Sequence, residues 1–278
     1  ADVEHRINRA GYDEDTKMQI KLRAGGYIEN KDRKFSARWF NLNNPGGLSS
    51  ELLTSSPEEL FSPSNIAADR LYYLEQTNQS DRYNAQSLLG AGYVSAYVPI
   101  TRKLNASFGF RGEYNRQQLQ SRLLGSGIAV KVDNPIFRAL PSANVSYNLT
   151  DKSLLRLAYS VTVNRPEFRE LAPFNYYDFN FDVSRVGNPN LKTPSIQNAD
   201  IRYEFYPKDG EVISIAGFYK HFKNPIESRV RYSGSGVSFT VDNAEQAYAY
   251  GAELEVRKSL KNLTTSSFLD KMMVVLNA

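Results

Sequence analysis

Leu104-Asn105-Ala106-Ser107-Phe108-Gly109-Phe110-Arg111-Gly112-Glu113-Tyr114-Asn115 sorts by parity. Its even positions are Leu, Ala, Phe, Phe, Gly and Tyr; its odd positions are Asn, Ser, Gly, Arg, Glu and Asn. A period of two is the side-chain repeat of an extended strand, so this stretch has one apolar face and one polar face. The same division recurs down the chain. Ala143, Val145, Tyr147 and Leu149 oppose Asn144, Ser146 and Asn148, and Leu155, Leu157, Tyr159, Val161 and Val163 oppose Arg156, Ala158, Ser160 and Thr162. Ala199, Ile201, Tyr203 and Phe205 oppose Asp200, Arg202 and Glu204. Tyr248, Tyr250, Ala252, Leu254 and Val256 oppose Ala249, Gly251, Glu253, Glu255 and Arg257. An early segment, Met18, Ile20, Leu22 and Ala24 against Lys17, Gln19, Lys21 and Arg23, reads alike.

Two settings produce such strands: a sheet with its apolar face on a core, or a sheet with that face in hydrocarbon. Connection lengths discriminate between them. Tight turns are expected at Asn30–Asp32, Pro99–Lys103, Thr150–Lys152 and Pro207–Gly210, alternating with polar excursions over Asn43–Asp81, Ser121–Phe137, Arg165–Gln197 and Asn224–Ser238. A transmembrane barrel has short periplasmic turns and longer extracellular loops, and its strands need about 9–11 residues. The reading is therefore all-β: an antiparallel transmembrane β-barrel fragment of about ten strands. An arginine on the lipid face at the midplane costs about 2–4 kcal/mol, so Arg111, Arg156, Arg202 and Arg257 should face the lumen with Glu113, Glu204, Glu253 and Glu255.

Composition narrows the classes. The formal charge is +4 from 34 basic and 30 acidic residues, with no basic stripe, so no nucleic-acid partner is expected. Tyr (18) outnumbers Phe (15), which suits rings that meet lipid with one part and headgroups with another. Cysteine is absent, which excludes disulfides and thiolate metal sites. No secretory leader opens the chain and no apolar run approaches the ~20 residues of a spanning helix, so an internal fragment of an exported protein is expected. Met272–Ala278 reads as the start of a further strand. In the first excursion, Ser56-Pro57-Glu58-Glu59 offers a capping serine, proline at the first helical position and a carboxylate at the capping-box position.

Arg165-Pro166-Glu167-Phe168-Arg169-Glu170-Leu171-Ala172-Pro173-Phe174 and Gly187-Asn188-Pro189-Asn190-Leu191-Lys192 carry a resemblance, as do the Arg202-Tyr203-Glu204 strand and Phe218-Tyr219-Lys220 running to Asn224-Pro225-Ile226-Glu227. Gly25-Gly26-Tyr27, Lys31–Phe35 and Tyr250–Glu255 agree with it. Together they resemble the TonB-dependent receptor family, particularly the outer-membrane β-barrel receptors common in Bacteroidetes. The resemblance implies active import across the outer membrane of a Gram-negative bacterium through a barrel of about 22 strands with a plugged lumen. Residues 1–278 would then be a partial barrel domain, truncated at both ends and without its plug. The partners implied are outer-membrane lipid, TonB and a plug domain in the full-length protein, with a surface lipoprotein partner left open. The ligand also stays open among siderophore, cobalamin, oligosaccharide and peptide.

Enzyme chemistry has little material, and neither catalytic residues nor cofactors are expected. The two histidines, His5 and His221, give no Ser/His/Asp arrangement and no metal set. Glu253 and Glu255 share a strand face, but glycosidase chemistry needs carboxylates poised across a sugar at about 5–9.5 Å, and lumen charges balanced by Arg202 or Arg257 explain them better. Gly125-Ser126-Gly127 and Gly234-Ser235-Gly236 read as loop tips, and the acceptor-like Asn144, Asn148 and Asn262 as chance. The candidate ligand segment is Asn175-Tyr176-Tyr177-Asp178-Phe179, where rings could stack on a flat ligand while amide and carboxylate bond its rim. Packing of these rings onto the barrel mouth is the competing explanation. A soluble β-rich glycan-binding or adhesion module is the alternative to a receptor.

Overall fold

The computed structural model describes residues 2–8, 18–123, 125–178, 180, 183–233, 236–261, 268 and 271–278. Ten strands form one antiparallel sheet in the order β1 (Asp2–Asn8), β2 (Gln19–Ser36), β5 (Arg82–Pro99), β6 (Leu104–Arg122), β7 (Ala129–Thr150), β8 (Ser153–Val163), β11 (Ser195–Phe205), β12 (Val212–Lys223), β15 (Gln246–Ser259) and β16 (Met273–Asn277). Between β2 and β5 lie the pair β3 (Phe40–Asn43) and β4 (Tyr72–Glu75), two one-turn helices, α1 (Ser50–Leu53) and α2 (Pro57–Leu60), and a 3-10 turn at Pro63–Asn65. A four-stranded sheet, ordered β13 (Ile226–Ser233), β14 (Gly236–Asn243), β10 (Val183–Val186), β9 (Asn175–Asp178), joins the two later excursions, the first of which also carries helix α3 (Phe168–Leu171).

Register turns the alternation into a surface. Leu22, Ala96, Phe108, Ala143, Tyr159, Ala199, Tyr219 and Tyr250 are cross-strand neighbours in one row spanning eight strands. Small alanines sit between most of the larger side chains, so the row is smooth. The next row includes Val145, Leu157, Ile201, Gly217 and Ala252. Among the described residues no protein layer covers this face: Phe108 is 53 % exposed, Ile201 50 % and Leu157 46 %. The opposite face is the occluded one, with Glu113 and Glu204 each 7 % exposed and Asn115, Gln117 and Ser214 buried. Large apolar groups outside and carboxylates inside are the inverse of a soluble sheet, and hydrocarbon is the solvent that makes the arrangement favourable.

The apolar band can be measured on β6 and β7. It starts at the Leu104–Tyr147 row and ends at Tyr114–Phe137, beyond which the outward residues are Arg116, Gln118 and Gln120 on β6 and Asp133 and Lys131 on β7. The ten steps from Leu104 to Tyr114 rise ~33 Å along the strand. Tilted as barrel strands are, they span about 25 Å, the height of the outward apolar band of outer-membrane barrels. Tyr147 and Tyr114 stand at its two borders, where amphipathic rings are favoured.

Several sequence-based boundaries are corrected. Asn30–Asp32 is no turn: these residues pair with Leu88, Ser87 and Gln86 inside a continuous β2. Ser121–Phe137 is mostly strand, with only residues 123–128 connecting β6 to β7. Both errors share a cause. Above the band the outward side chains meet water instead of lipid and turn polar, as Arg116, Gln118, Lys131 and Asp133 do, so the apolar-outside alternation fades and a polar strand imitates a loop. The connection-length asymmetry holds at residues 100–103, 151–152 and 206–211 against 37–81, 164–194 and 224–245, but fails at 123–128 and at 260–272. Arg165–Gln197 holds β9 and β10, but β11 already begins at Ser195, and the excursion from Asn224 holds β13 and runs past Ser238 because β14 continues to Asn243. Ser56 caps α2 as its sequence promised, accepting from the Glu59 N–H, while the one-turn α1 was not foreseen. Phe179, Ser235 and Asn262 lie outside the described residues.

Candidate functional site

The inner face carries a charge lattice. On β8, β11, β12 and β15, inward positions one rung apart bring Arg156, Arg202, Glu204, Ser214, Glu255 and Arg257 together. Arg156 Nε donates to Glu204 Oε2 at 3.2 Å, and the Tyr206 hydroxyl donates to the same oxygen at 2.9 Å. Arg202 Nη2 donates to Glu255 Oε2 at 2.9 Å and to Ser214 Oγ at 3.0 Å. Its Nε lies 3.1 Å from Glu204 Oε1 without the alignment of a hydrogen bond. Arg257 Nε pairs with Glu255 Oε1 at 2.7 Å. Through these contacts three guanidiniums share two carboxylates. Glu253 is on the same face but exposed, with no ion pair among the described residues.

A second cluster forms higher on β6. Arg111 Nε donates to Glu113 Oε1 at 2.6 Å, and Arg165 closes on Glu113 Oε2 from the excursion that follows β8. Arg111 and Glu113 were expected here, but Arg165 was not, because its partner is 52 residues distant and lies on another element.

Arg165 begins a segment folded across the inner wall. Gln117 Nε2 donates to the Pro166 carbonyl at 2.9 Å, and Glu167 and Glu170 form a capping box around α3. Leu171, Ala172 and Phe174 then pack with Leu191 against the inward Tyr83, Ala85, Leu119 and Val132, which makes the apolar core of this molecule a plug of loop against barrel wall. Phe174 meets Phe35 edge-on at 5.0 Å. The Gly187–Lys192 motif completes the fastening. A Cβ on Gly187 would collide with the Ala172 carbonyl and stand 2.6 and 2.7 Å from those of Arg169 and Glu170, so only glycine lets the chain pass the end of α3. Asn188 Nδ2 donates to the Val241 carbonyl at 3.2 Å, and its Oδ1 accepts from the Asn190 N–H at 2.9 Å. Asn243 Oδ1 accepts the Lys192 N–H at 2.7 Å, tying the second excursion to the first.

The candidate ligand segment forms strand β9 at the edge of the outer sheet. Tyr176 is covered by the Arg169 guanidinium at 4.9 Å and stacks beside Phe174, and Asp178 binds Arg185 Nε at 3.0 Å. Asn175 is half-buried, while Tyr177 points to the other face and is exposed. Phe179 of this group is outside the described residues. His221 faces outward and stacks on Tyr248 at 4.9 Å, in the aromatic border.

The outer loop between β2 and β5 is clasped by Arg38, whose Nε and Nη2 reach Glu75 at 3.0 and 2.8 Å, with Thr77 donating to the same carboxylate at 2.7 Å. These bonds, Arg38's first and Thr77's second, hold the Glu75 carboxyl at about 2, below its ordinary 4.5. A depressed carboxyl contributes fully above its unfolded pKa and loses that contribution as pH falls through the folded one. The clasp is therefore expected to persist from neutrality to about pH 4.5 and to release between there and pH 2. The carboxyl carbon shift of labelled Glu75 would report it, with the midpoint rising toward 4.5 in Arg38→Gln.

Comparison with known proteins decides the family. Residues 63–273 match the model of the outer membrane protein beta-barrel family. The chain belongs to the outer membrane protein beta-barrel family. Its place is thus the Gram-negative outer membrane, where the apolar outer face meets lipid. No curated protein is similar to this family member in sequence. Among solved structures, its fold is that of receptor barrels. The Serratia marcescens hemophore receptor HasR, in complex with its hemophore HasA and heme, superposes with a TM-score of 0.51 at 12 % identity over 86 % of this chain and 40 % of that one. The alcaligin outer-membrane receptor FauA of Bordetella pertussis gives 0.53 at 10 % over 93 % and 35 %. The ferric-catecholate import receptor Fiu of E. coli K12 gives 0.53 at 15 % over 93 % and 34 %. The chain thus spans between about a third and two fifths of the receptors it matches.

Proposed function

We propose that this chain is part of the barrel wall of a TonB-dependent receptor that imports a scarce or bulky ligand without covalent chemistry. The observation that carries the reading is the inner face: a ladder of arginines and carboxylates beneath a loop fastened across the upper wall. Such a face suits a polar body held inside the bore and displaced on demand. Arg111, Glu113, Arg156, Arg202, Glu204, Glu253 and Glu255 would contact a plug domain, and ion pairs in a wet bore can exchange partners at little net cost. The receptors it resembles in fold are named for heme, alcaligin and ferric catecholates, which favours a chelate or similarly bulky cargo here. Asn175, Tyr176, Tyr177 and Asp178 would present the outer sheet to that cargo, with Tyr177 the exposed ring.

The test is uptake of labelled heme and ferric siderophores by cells carrying the full-length protein. Accumulation that stops on TonB depletion, and falls at least tenfold in Arg156→Glu with the barrel still assembled, supports the reading. Accumulation indifferent to TonB identifies a passive pore and contradicts it.

A further inference from the structure

Strand β7 is taller than the strand on one of its sides. It pairs with β6 from Ala129 downward, but with β8 only from Ser142 downward. The first residue above that point is Pro141, which has no N–H to offer. Pro135, six residues further up, is in the same phase and presents the same edge. Among the described residues no strand covers the edge of residues 129–141, and above Phe137 it stands clear of the apolar band.

A polar cleft of about 620 Å³ runs along this edge. One wall is made by six consecutive residues, Lys131 to Ile136, with Arg138; the other is the Pro189–Thr193 turn of the fastened loop. A groove that follows consecutive backbone positions on one strand has the footprint of an absent neighbouring strand. Its charge is one-sided. Lys131 and Lys192 are exposed and have no ion pair among the described residues. Arg138 Nη2 donates to the Thr193 carbonyl at 3.3 Å, while its Nε is buried without an acceptor. The one carboxylate, Asp133, is already held by Arg116 at 2.7 and 2.6 Å.

We propose that this cleft binds an extended peptide segment bearing carboxylates, which adds a short strand to the free edge of β7. Main-chain groups of Lys131 and Asp133 supply the ladder, and Lys131, Lys192 and Arg138 select acidic side chains. Pro135 limits the ladder to a few rungs, which fixes register and discourages pairing between copies of the chain. The inference is independent of what the receptor imports, because it concerns a strand edge rather than the bore.

The test uses detergent-solubilised full-length protein and a labelled, end-capped hexapeptide alternating glutamate and valine, read by fluorescence anisotropy. Saturable binding is expected, weakened at least tenfold when alternate peptide amides are N-methylated, when lysine replaces glutamate, and in the double variant Lys131→Glu, Lys192→Glu. Equal binding of the N-methylated peptide would overturn strand addition, as would absence of saturable binding. An oligogalacturonate that binds more tightly than the peptide would assign the cleft to acidic saccharides instead and overturn the proposal. The N-methylation comparison is made on unaltered protein, so it decides the matter even if the double variant fails to assemble.

Discussion

Ile201→Arg is expected to weaken insertion of the barrel by about 2–4 kcal/mol. Ile201 lies in the middle of the outward band, between Leu157 and Gly217, and half of its surface is open. Among the described residues no neighbouring carboxylate faces outward there, so the guanidinium would sit in hydrocarbon or drag headgroups inward. The same substitution at Ser160, whose side chain points into the bore on β8, should change stability by no more than about 0.5 kcal/mol, the usual range for solvated surface positions. Folding titrations into phospholipid vesicles, followed by heat-modifiable migration in gels, measure both. A soluble sheet would give the same order of harm only if its core were the Ile201 face, and among the described residues that face has no second layer.

Gly187→Ala is expected to release the fastened loop, at a cost of about 3 kcal/mol, the upper range for forcing an extra methyl into packed structure. Three carbonyls at the end of α3 occupy the space the methyl needs, and carbonyls cannot rotate away as a side-chain tip could. The Asn188 N–H bond to the Glu170 carbonyl, 2.6 Å, would be lost with the close approach. Leu171, Ala172 and Phe174 would leave Tyr83 and Leu119 exposed to the bore. Limited proteolysis between Arg165 and Lys192 should accelerate, while the sheet below stays protected. An unchanged cleavage pattern would mean that the motif is held by something other than this contact.

The two faces of the wall were legible in the sequence because lipid and water impose opposite choices at successive residues. Phe108 and Arg111, Leu157 and Arg156, Ile201 and Arg202 each fall on the side their chemistry predicts. Legibility ended where the contrast between solvents ended. Asn30-Lys31-Asp32 has turn-like composition, yet it is a strand standing above the membrane, and Ser121–Phe137 misled for the same reason. The inward charges could be named from single strands, but their pairing could not. Arg202 with Glu255 follows from register, which single-strand patterns do not reveal, and Glu113 with Arg165 depends on a loop crossing to another wall. The Arg165–Phe174 and Gly187–Lys192 motifs were visible as a family likeness only. Their physical content, a capping box, a glycine beside three carbonyls and a small apolar core, needed coordinates. The open edge of β7 left a faint trace in sequence, in the phase shared by Pro135 and Pro141.

Paired spin labels offer the most direct measurement of the account, and the chain has no cysteine to interfere with their attachment. Single cysteines at Phe108, Leu157 and Ile201, and at their neighbours Ser107, Ala158 and Asp200, can be labelled in protein reconstituted into bilayers. Relaxation should respond to oxygen at the first three sites and to a water-soluble nickel complex at the second three, switching with every residue. Equal access of the nickel complex to both sets would contradict a wall with hydrocarbon on one side and water on the other.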